Sequence, residues 1–370
     1  MPTDYRSVII AEFDTLRKAD IAQKKPFQAR AYAKVIEQLK ALPGAIHSFE
    51  DVKDIEGAGA KIKDKMKEII ETGSLKAATE ARKSVNLDAL EALQGIHGVG
   101  PVKAKDLVSS GLRSIAELRK ALASDDTILN DVQKMGLKYY ETSQERIPRA
   151  EMEQHEKRIL NDLDPSFQAV VVGSYRRGLS DSGDIDVLMT LPSSMTEAKQ
   201  KELFVATVDG LKKKGYIIDT LAQGPKKFLG YVKVTPDAKP RRLDLLMSPP
   251  SEFAYAILYF TGSQNFNVAF RRHAQEKGYT INEHTMKPTK EGVPPVPAMR
   301  AEKDIFDFLG LDYVDPKERR GVADLKVAPE KSRSRSRSRS RSKTPVAETA
   351  PKKKKVYKVR VAAPETSEIK

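Results

Sequence analysis

Residues 169–190 read AVVVGSYRRGLSDSGDIDVLMT, and this stretch decides the fold. Ala169-Val170-Val171-Val172 is a strand candidate, Gly173-Ser174 a turn, and Asp184 to Thr190 a second strand candidate. Side chains two apart in a strand share a face, so Asp184 and Asp186 project together while Ile185 and Val187 pack behind. Two carboxylates on one face repel unless cations sit between them. Magnesium wants octahedral oxygen ligands and commonly takes one or two carboxylates plus substrate phosphates. A third aspartate arrives in Arg241-Arg242-Leu243-Asp244-Leu245, on its own strand pattern. It joins the pair if that strand neighbours the first. Two ions ~3.5–4 Å apart would then activate an attacking hydroxyl and stabilise the leaving oxygen. Alone, Asp-x-Asp also suits a solvated strand edge. The upstream Gly173-Ser174 turn, whose backbone N–H groups can face phosphate oxygens, and the third aspartate make it a site for a nucleoside triphosphate. Arg176 and Arg177 add charge for the same anion.

Outward from this stretch, Gly215–Leu221, Phe228–Val234 and Arg241–Met247 read as further strands, flanked by helical patterns at Glu151–Leu163 and Thr196–Lys214. Residues 253–277 are helical again, broken at Thr261-Gly262-Ser263. Residues 5–47 carry apolar positions at helical spacing. A short repeat follows. Ile55-Glu56-Gly57-Ala58-Gly59-Ala60-Lys61 precedes a helical pattern stopped at Gly73, and Ile96-His97-Gly98-Val99-Gly100-Pro101-Val102-Lys103 precedes another stopped at Gly111. Gly-x-Gly before such a helix exposes backbone N–H groups with little hindrance, the basis of phosphate binding at helix starts. One copy alone is better read as a tight helical turn; two with the same flanks carry more weight and resemble paired helix-hairpin-helix elements, which grip DNA backbones. Lys61 and Lys65 share a helix face, which suits either a solvated lysine surface or an amine nucleophile activated by neighbouring charge.

The chain has 370 residues, no cysteine and a net charge of +14. Without cysteine, disulfides, thiolate metal sites and thiol catalysis are excluded. No apolar run approaches the ~18–20 residues of a membrane span. The N-terminal residues lack the basic-then-apolar order of a secretory signal. Residues 328–370 hold 14 Lys+Arg against four Glu, a net of +10, so the rest carries only +4. Basicity is mostly a property of this tail, where Ser-Arg alternates from Ser332 to Ser342 and Pro351-Lys352-Lys353-Lys354-Lys355-Val356 follows. Such composition buries too little apolar area to offset ordering entropy, and disorder is expected. The lysine run reads as a nuclear import signal, implying a nuclear location and an import receptor. Ser-Arg with Thr344-Pro345 reads as kinase substrate. A non-specific nucleic-acid tether is the competing reading of the same segment.

Gly173-Ser174-Tyr175-Arg176-Arg177-Gly178 with Asp184-Ile185-Asp186 resembles the nucleotidyltransferase signature of family X DNA polymerases, notably their beta and lambda branches. The resemblance continues through Arg241-Arg242-Leu243-Asp244, Tyr259-Phe260-Thr261-Gly262-Ser263 and Gly278-Tyr279-Thr280-Ile281-Asn282-Glu283, and covers about residues 5–320. It implies Asp184, Asp186 and Asp244 as ligands of two Mg2+ ions, with Mn2+ as an alternative, and Asp244 as acceptor of the primer 3′-hydroxyl proton. Gly173, Ser174, Arg177, Ser182 and Gly183 would hold the triphosphate. Tyr259-Phe260 would lie under the sugar, with Gly262 supplying the break that lets them face it. Asn267 would contact the nascent pair and Arg271 the template. Gly57, Gly59, Gly98, Gly100, Lys103 and Arg242 would touch DNA, with a monovalent cation (Na+ or K+) at each helix-hairpin-helix. Lys65 would form the Schiff base of a 5′-deoxyribose phosphate lyase, with Tyr32, Lys34 and Lys61 around its pocket.

The implied fold is α+β: all-α N-terminal lyase and helix-hairpin-helix domains, a nucleotidyltransferase-type palm with a mixed β-sheet, a small α+β C-terminal subdomain, and a disordered basic tail. The expected bounds are 1–82, 83–146, 147–250, 251–325 and 326–370. The chain departs from the beta branch at Phe27-Gln28, where that branch has a basic His-Lys pair, and at Leu246, which lacks an arginine. Gln264 replaces an acidic residue, and His284 follows Glu283 as in the lambda branch. The short Thr235–Pro240 link argues for template direction, because terminal transferases carry a longer loop there. The expected protein is a monomeric gap-filling DNA polymerase of base excision repair type with lyase activity, acting with dNTPs on gapped or nicked DNA. A template-independent terminal nucleotidyltransferase and a non-catalytic DNA-end-binding scaffold are the competing readings.

Overall fold

The computed structural model describes residues 3–23, 25–321 and 324–327. The Ser-Arg run, the lysine run and the roles read from them lie outside the described residues. None of the described helices is long and apolar enough to cross a membrane.

Four helices open the chain: α1 (Arg6–Ala22), α2 (Pro26–Ala41), α3 (Ala60–Thr72) and α4 (Lys76–Ser84). Pro26 begins α2, where its fixed φ suits the first turn and its missing N–H costs nothing. Ile9, Phe13, Val35, Leu39, Met66 and Ile69 recur at helical spacing and close one core. Five shorter helices follow: α5 (Leu87–Gln94), α6 (Pro101–Ser109), α7 (Ile115–Leu122), α8 (Asp131–Lys138) and α9 (Tyr140–Gln144). They enclose a second core around Leu93, Ile96, Leu107 and Leu118, to which Ala19 of α1 also contributes.

The central unit comprises β1 (Ile147–Pro148), α10 (Arg149–Asp162), β2 (Gln168–Val171), α11 (Gly173–Arg176), β3 (Asp181–Ser182), β4 (Ile185–Thr190), α12 (Glu197–Lys213), β5 (Ile217–Gln223), β6 (Lys227–Val232) and β7 (Arg241–Met247). Its main sheet has the order β2-β4-β7-β6-β5, mixed because β4 and β7 are parallel and the other neighbours antiparallel. One face packs on α10 and α12 through Val187, Phe204, Val208, Tyr216, Leu243 and Leu245. The other packs on the next helix through Val172, Leu188 and Ala256.

Four of the five expected strands differ in their bounds, β2 and β4 by one residue and β5 and β6 by up to two. The strand expected at Gly215–Leu221 begins at Ile217. Gly215, at φ +68°, ends α12 as a left-handed cap, and Tyr216 N–H returns to Leu211 O, so the chain is not yet extended there. β6 stops at Val232, two residues short of expectation, ahead of the turn that Ala238 N–H closes on Thr235 O. The C-terminal unit holds α13 (Phe253–Thr261), α14 (Gln264–Glu276), β8 (Tyr279–Ile281), β9 (Met286–Pro288) and α15 (Glu302–Leu309), around Phe266, Phe270, Ile305 and Phe306. Gly262, at φ +66°, breaks α13 from α14 where the sequence places the break.

Candidate active site

The register of β4 on β7 sets Asp186 directly opposite Asp244. β7 alternates strictly: Arg241, Leu243, Leu245 and Met247 are buried in the core, leaving Arg242, Asp244 and Leu246 on the other face. Asp184 immediately precedes β4. Burial, with Asp184 and Asp244 as like charges, pushes the Asp186 carboxyl well above the usual aspartate range, although Arg242 and Arg177 partly offset it. Asp244 is also raised, mainly by burial. Its Oδ1 is buried without a hydrogen-bond partner. An ionisable group held at such cost marks a site that awaits positive charge. Three carboxylates form a hard-oxygen donor set that fits Mg2+ or Mn2+. Among the described residues, no three acidic or histidine side chains stand close enough to enclose an ion as they lie. Asp184 is instead turned onto the Arg242 guanidinium, whose Nε stands 3.7 Å from Asp244 Oδ1.

Gly173 cannot carry a side chain here. Its φ is +62°, and a Cβ would stand 2.6 Å from Asp186 Oδ2. The turn is a short helix, α11, rather than an open loop. Ser174 Oγ donates to Ser182 Oγ at 2.9 Å, so two of the residues expected at the phosphates meet. The pairing of β1 with β3, Ile147 to Ser182 and Pro148 to Asp181, places that loop. Arg146 just before β1 holds Asp181, and its Nη1 lies 3.1 Å from where a Gly183 Cβ would be. Arg146 was not expected at this loop, because no local pattern links it to residues 35 positions away. Arg177 Nη1 donates to Thr261 O at 2.6 Å beside Gly262, tying the loop to the α13–α14 break.

Arg176 requires a correction. It does not face the anion with Arg177; it donates to Thr261 Oγ1 at 2.6 Å and grips Glu302 at 2.6 and 3.2 Å. Glu302 also receives Arg319 Nη1 at 2.7 Å. Tyr259 and Phe260 are half-buried and meet edge to face at 5.1 Å. Asn267 Nδ2 donates to Tyr259 O at 2.7 Å, and the Arg271 guanidinium lies over the Tyr259 ring at 5.2 Å.

The two hairpins share one geometry. Gly57 and Gly98 have φ +86° and +85°, while Gly59 and Gly100 each precede the first helical residue of α3 and α6. Only glycine adopts the first of these conformations without strain. Gln133 of α8 donates to Gly98 O at 3.0 Å. A cavity of ≈ 610 Å³ joins the second hairpin, from Gly95 to Gly100, to Gly183, Asp184 and Arg242. On α3, Lys65 Nζ approaches Lys61 O at 3.4 Å, and Lys61 is exposed. Lys34 Nζ is paired with Glu56 at 2.7 Å, and Tyr32 packs on Phe13 at 5.4 Å between ring centres. Lys103 follows Pro101 on α6. Asp20, not singled out from the sequence, lies near both Lys65 and Tyr32: its carboxyl is raised by burial against the opposing charges of Lys25 and Lys65, and its charge helps raise the Tyr32 phenol. Phe27 is 82% exposed, with the Arg30 guanidinium 5.8 Å from its ring centre.

A mixed sheet carrying paired aspartates on adjacent parallel strands, beside a Gly-Ser turn, is the arrangement of a nucleotidyltransferase-type palm. The palm of DNA polymerase beta matches residues 146–250 and its thumb residues 256–320; the fingers domain of DNA polymerase lambda matches 91–144, and a helix-hairpin-helix domain 6–75. The chain is 34% identical over 335 residues to DNA polymerase lambda of Rattus norvegicus, covering 86% of this chain and 56% of that protein. It is 27% identical over 310 residues to DNA polymerase lambda of Arabidopsis thaliana, covering 78% and 57%. The chain belongs to the family X DNA polymerases. It spans a little over half the length of these curated relatives.

Proposed function

We propose that this chain is a template-directed, gap-filling DNA polymerase that adds deoxynucleotides to a primer 3′-hydroxyl. The observation that carries this reading is the opposition of Asp186 and Asp244, next to Asp184, which lines one cavity with the second helix-hairpin-helix. Asp184, Asp186 and Asp244 would hold two Mg2+ ions, with Mn2+ as an alternative; bound there, the metal would neutralise the triphosphate and lower the pKa of the primer hydroxyl. Asp244 would accept that proton. Ser174, Ser182, Gly183 and Arg177 would orient the triphosphate, and Tyr259-Phe260 would exclude a 2′-hydroxyl. The hairpins would grip the DNA backbone, each with a monovalent cation. The competing terminal transferase is disfavoured by the link from Val232 to Arg241, too short to fill a template site. A nuclear location rests on the lysine run alone.

The test is primer extension on single-nucleotide gaps, blunt ends and single strands, with Mg2+ and Mn2+ compared. One templated insertion into the gap is expected. Equal addition to single strands would favour the terminal transferase, and no addition the DNA-end scaffold.

A 5′-deoxyribose phosphate lyase in the N-terminal unit is the second part of the reading, supported by Lys65 beside Lys61 and Tyr32. Borohydride trapping on incised abasic DNA should crosslink the wild type and far less of Lys65→Ala. Equal crosslinking would assign the chemistry to another amine; none in either would remove the lyase.

A further inference from the structure

The second hairpin presents more than backbone to the cavity that ends at Asp184. His97, the residue before Gly98, lines the same cavity as Gly100, Asp184 and Arg242. We propose that His97 is a primer-positioning residue, its imidazole donating a hydrogen bond to one of the two phosphates nearest the primer terminus. The inference rests on the polymerase reading above.

Three observations support it. First, the root of the side chain is fixed. A Cβ on Gly136 of α8 would stand 2.4 Å from His97 O and 2.8 Å from His97 N, so α8 presses on the His97 backbone at a distance only glycine permits. The neighbouring Gly98 carbonyl is pinned by Gln133. Second, His97 lines one cavity with two features that a primer would meet. The Gly98–Gly100 turn offers N–H groups to an upstream phosphate, and the carboxylates receive the 3′-hydroxyl. A strand held at both would lie in the cavity that His97 also lines. Third, the ring is half-buried and faces Arg242. Burial and that positive charge lower its pKa, so at neutral pH it presents one N–H to donate. Arg242, another donor lining the cavity, is engaged by Asp184.

Backbone hairpins fix affinity but allow a strand to slide within its grip. A side chain on a fixed root sets the last ångström, and a displacement of about 1 Å can cost about 10²-fold in rate. The test uses single-turnover insertion into a single-nucleotide gap by the wild type, His97→Ala and His97→Gln, with primers carrying a neutral methylphosphonate at either of the two terminal phosphates. His97→Ala should lower the maximal insertion rate about 10- to 100-fold. The dNTP concentration for half-maximal rate and the affinity for gapped DNA should stay nearly constant, and His97→Gln, which keeps a donor, should recover most of the rate. At one of the two positions, methylphosphonate should slow the wild type to a similar degree and add nothing in His97→Ala. A wild-type rate in His97→Ala, losses that multiply at both positions, or a loss confined to DNA affinity would each overturn the assignment. Failure of the wild type to extend any primer would instead remove the polymerase reading on which it stands.

Discussion

Asp186→Ala should abolish nucleotide addition, with a loss on the order of a thousandfold or more, while affinity for gapped DNA stays nearly intact. The magnitude follows from losing one of three carboxylates in a site where metal charge is worth several kcal/mol to the transition state. DNA affinity should survive because the hairpins, the proposed grip on the DNA backbone, lie on separate elements. Loss of activity through unfolding can be told apart. The Asp186 carboxyl is raised in the folded protein, so its ionised form is disfavoured there, and above the usual aspartate range the charge opposes folding. Asp186→Asn keeps the shape and removes that charge, so its thermal midpoint without metal should equal or exceed the wild type at pH 7.5. Insertion into a single-nucleotide gap, anisotropy with gapped duplex, and thermal melting together check these outcomes. Persisting synthesis by Asp186→Ala would sink the assignment of the carboxylate site.

Much of this site was legible because strand periodicity carries it. A period of two sets Asp184 and Asp186 on one side, and a β7 that alternates apolar and polar residues leaves Asp244 on one face. The paired Gly-x-Gly turns were legible because φ near +85° is open to few residues other than glycine. What escaped is long-range charge pairing. Arg176 looked like a phosphate ligand beside Arg177, yet its partner Glu302 lies 126 positions later. Arg146 and Asp181 meet only because two-residue strands, too short to show alternation, pair β1 with β3. Asp20 ends a helix whose apolar pattern says nothing about α3. Gly136 is an unremarkable helical glycine in the sequence, and only the packing of α8 on His97 gives it a reason. Local pattern fixes which face a residue occupies; it does not name the charge it will meet across the fold.

The Arg176–Glu302–Arg319 triad carries the largest stability effect expected of a single substitution outside the carboxylates. Glu302 is 6% exposed and Arg319 1% exposed, and Arg319 also lies 5.5 Å from the ring centres of Phe266, Phe306 and Tyr313. Glu302 begins α15 and Arg176 ends α11, so the triad joins the Gly173–Gly178 turn to the C-terminal unit. Replacing a buried carboxylate leaves two guanidinium groups without their counter-charge, which typically costs about 3–5 kcal/mol. Glu302→Ala should therefore lower the denaturant midpoint sharply. Glu302→Gln, which keeps acceptor geometry without charge, should lose somewhat less. Burial alone would raise the Glu302 carboxyl, but Arg176 and Arg319 outweigh it and hold it below the usual glutamate range. A carboxyl lowered in the folded state adds stability that is fully present above its unfolded pKa, about 4.3. That stability fades as pH falls through the lower folded value. The gap between wild type and Glu302→Gln should accordingly be widest near pH 7 and narrow progressively below about pH 4.3. Denaturant titrations of both proteins across that range would show it, and a gap independent of pH would mean that shape, rather than charge, holds the two units together.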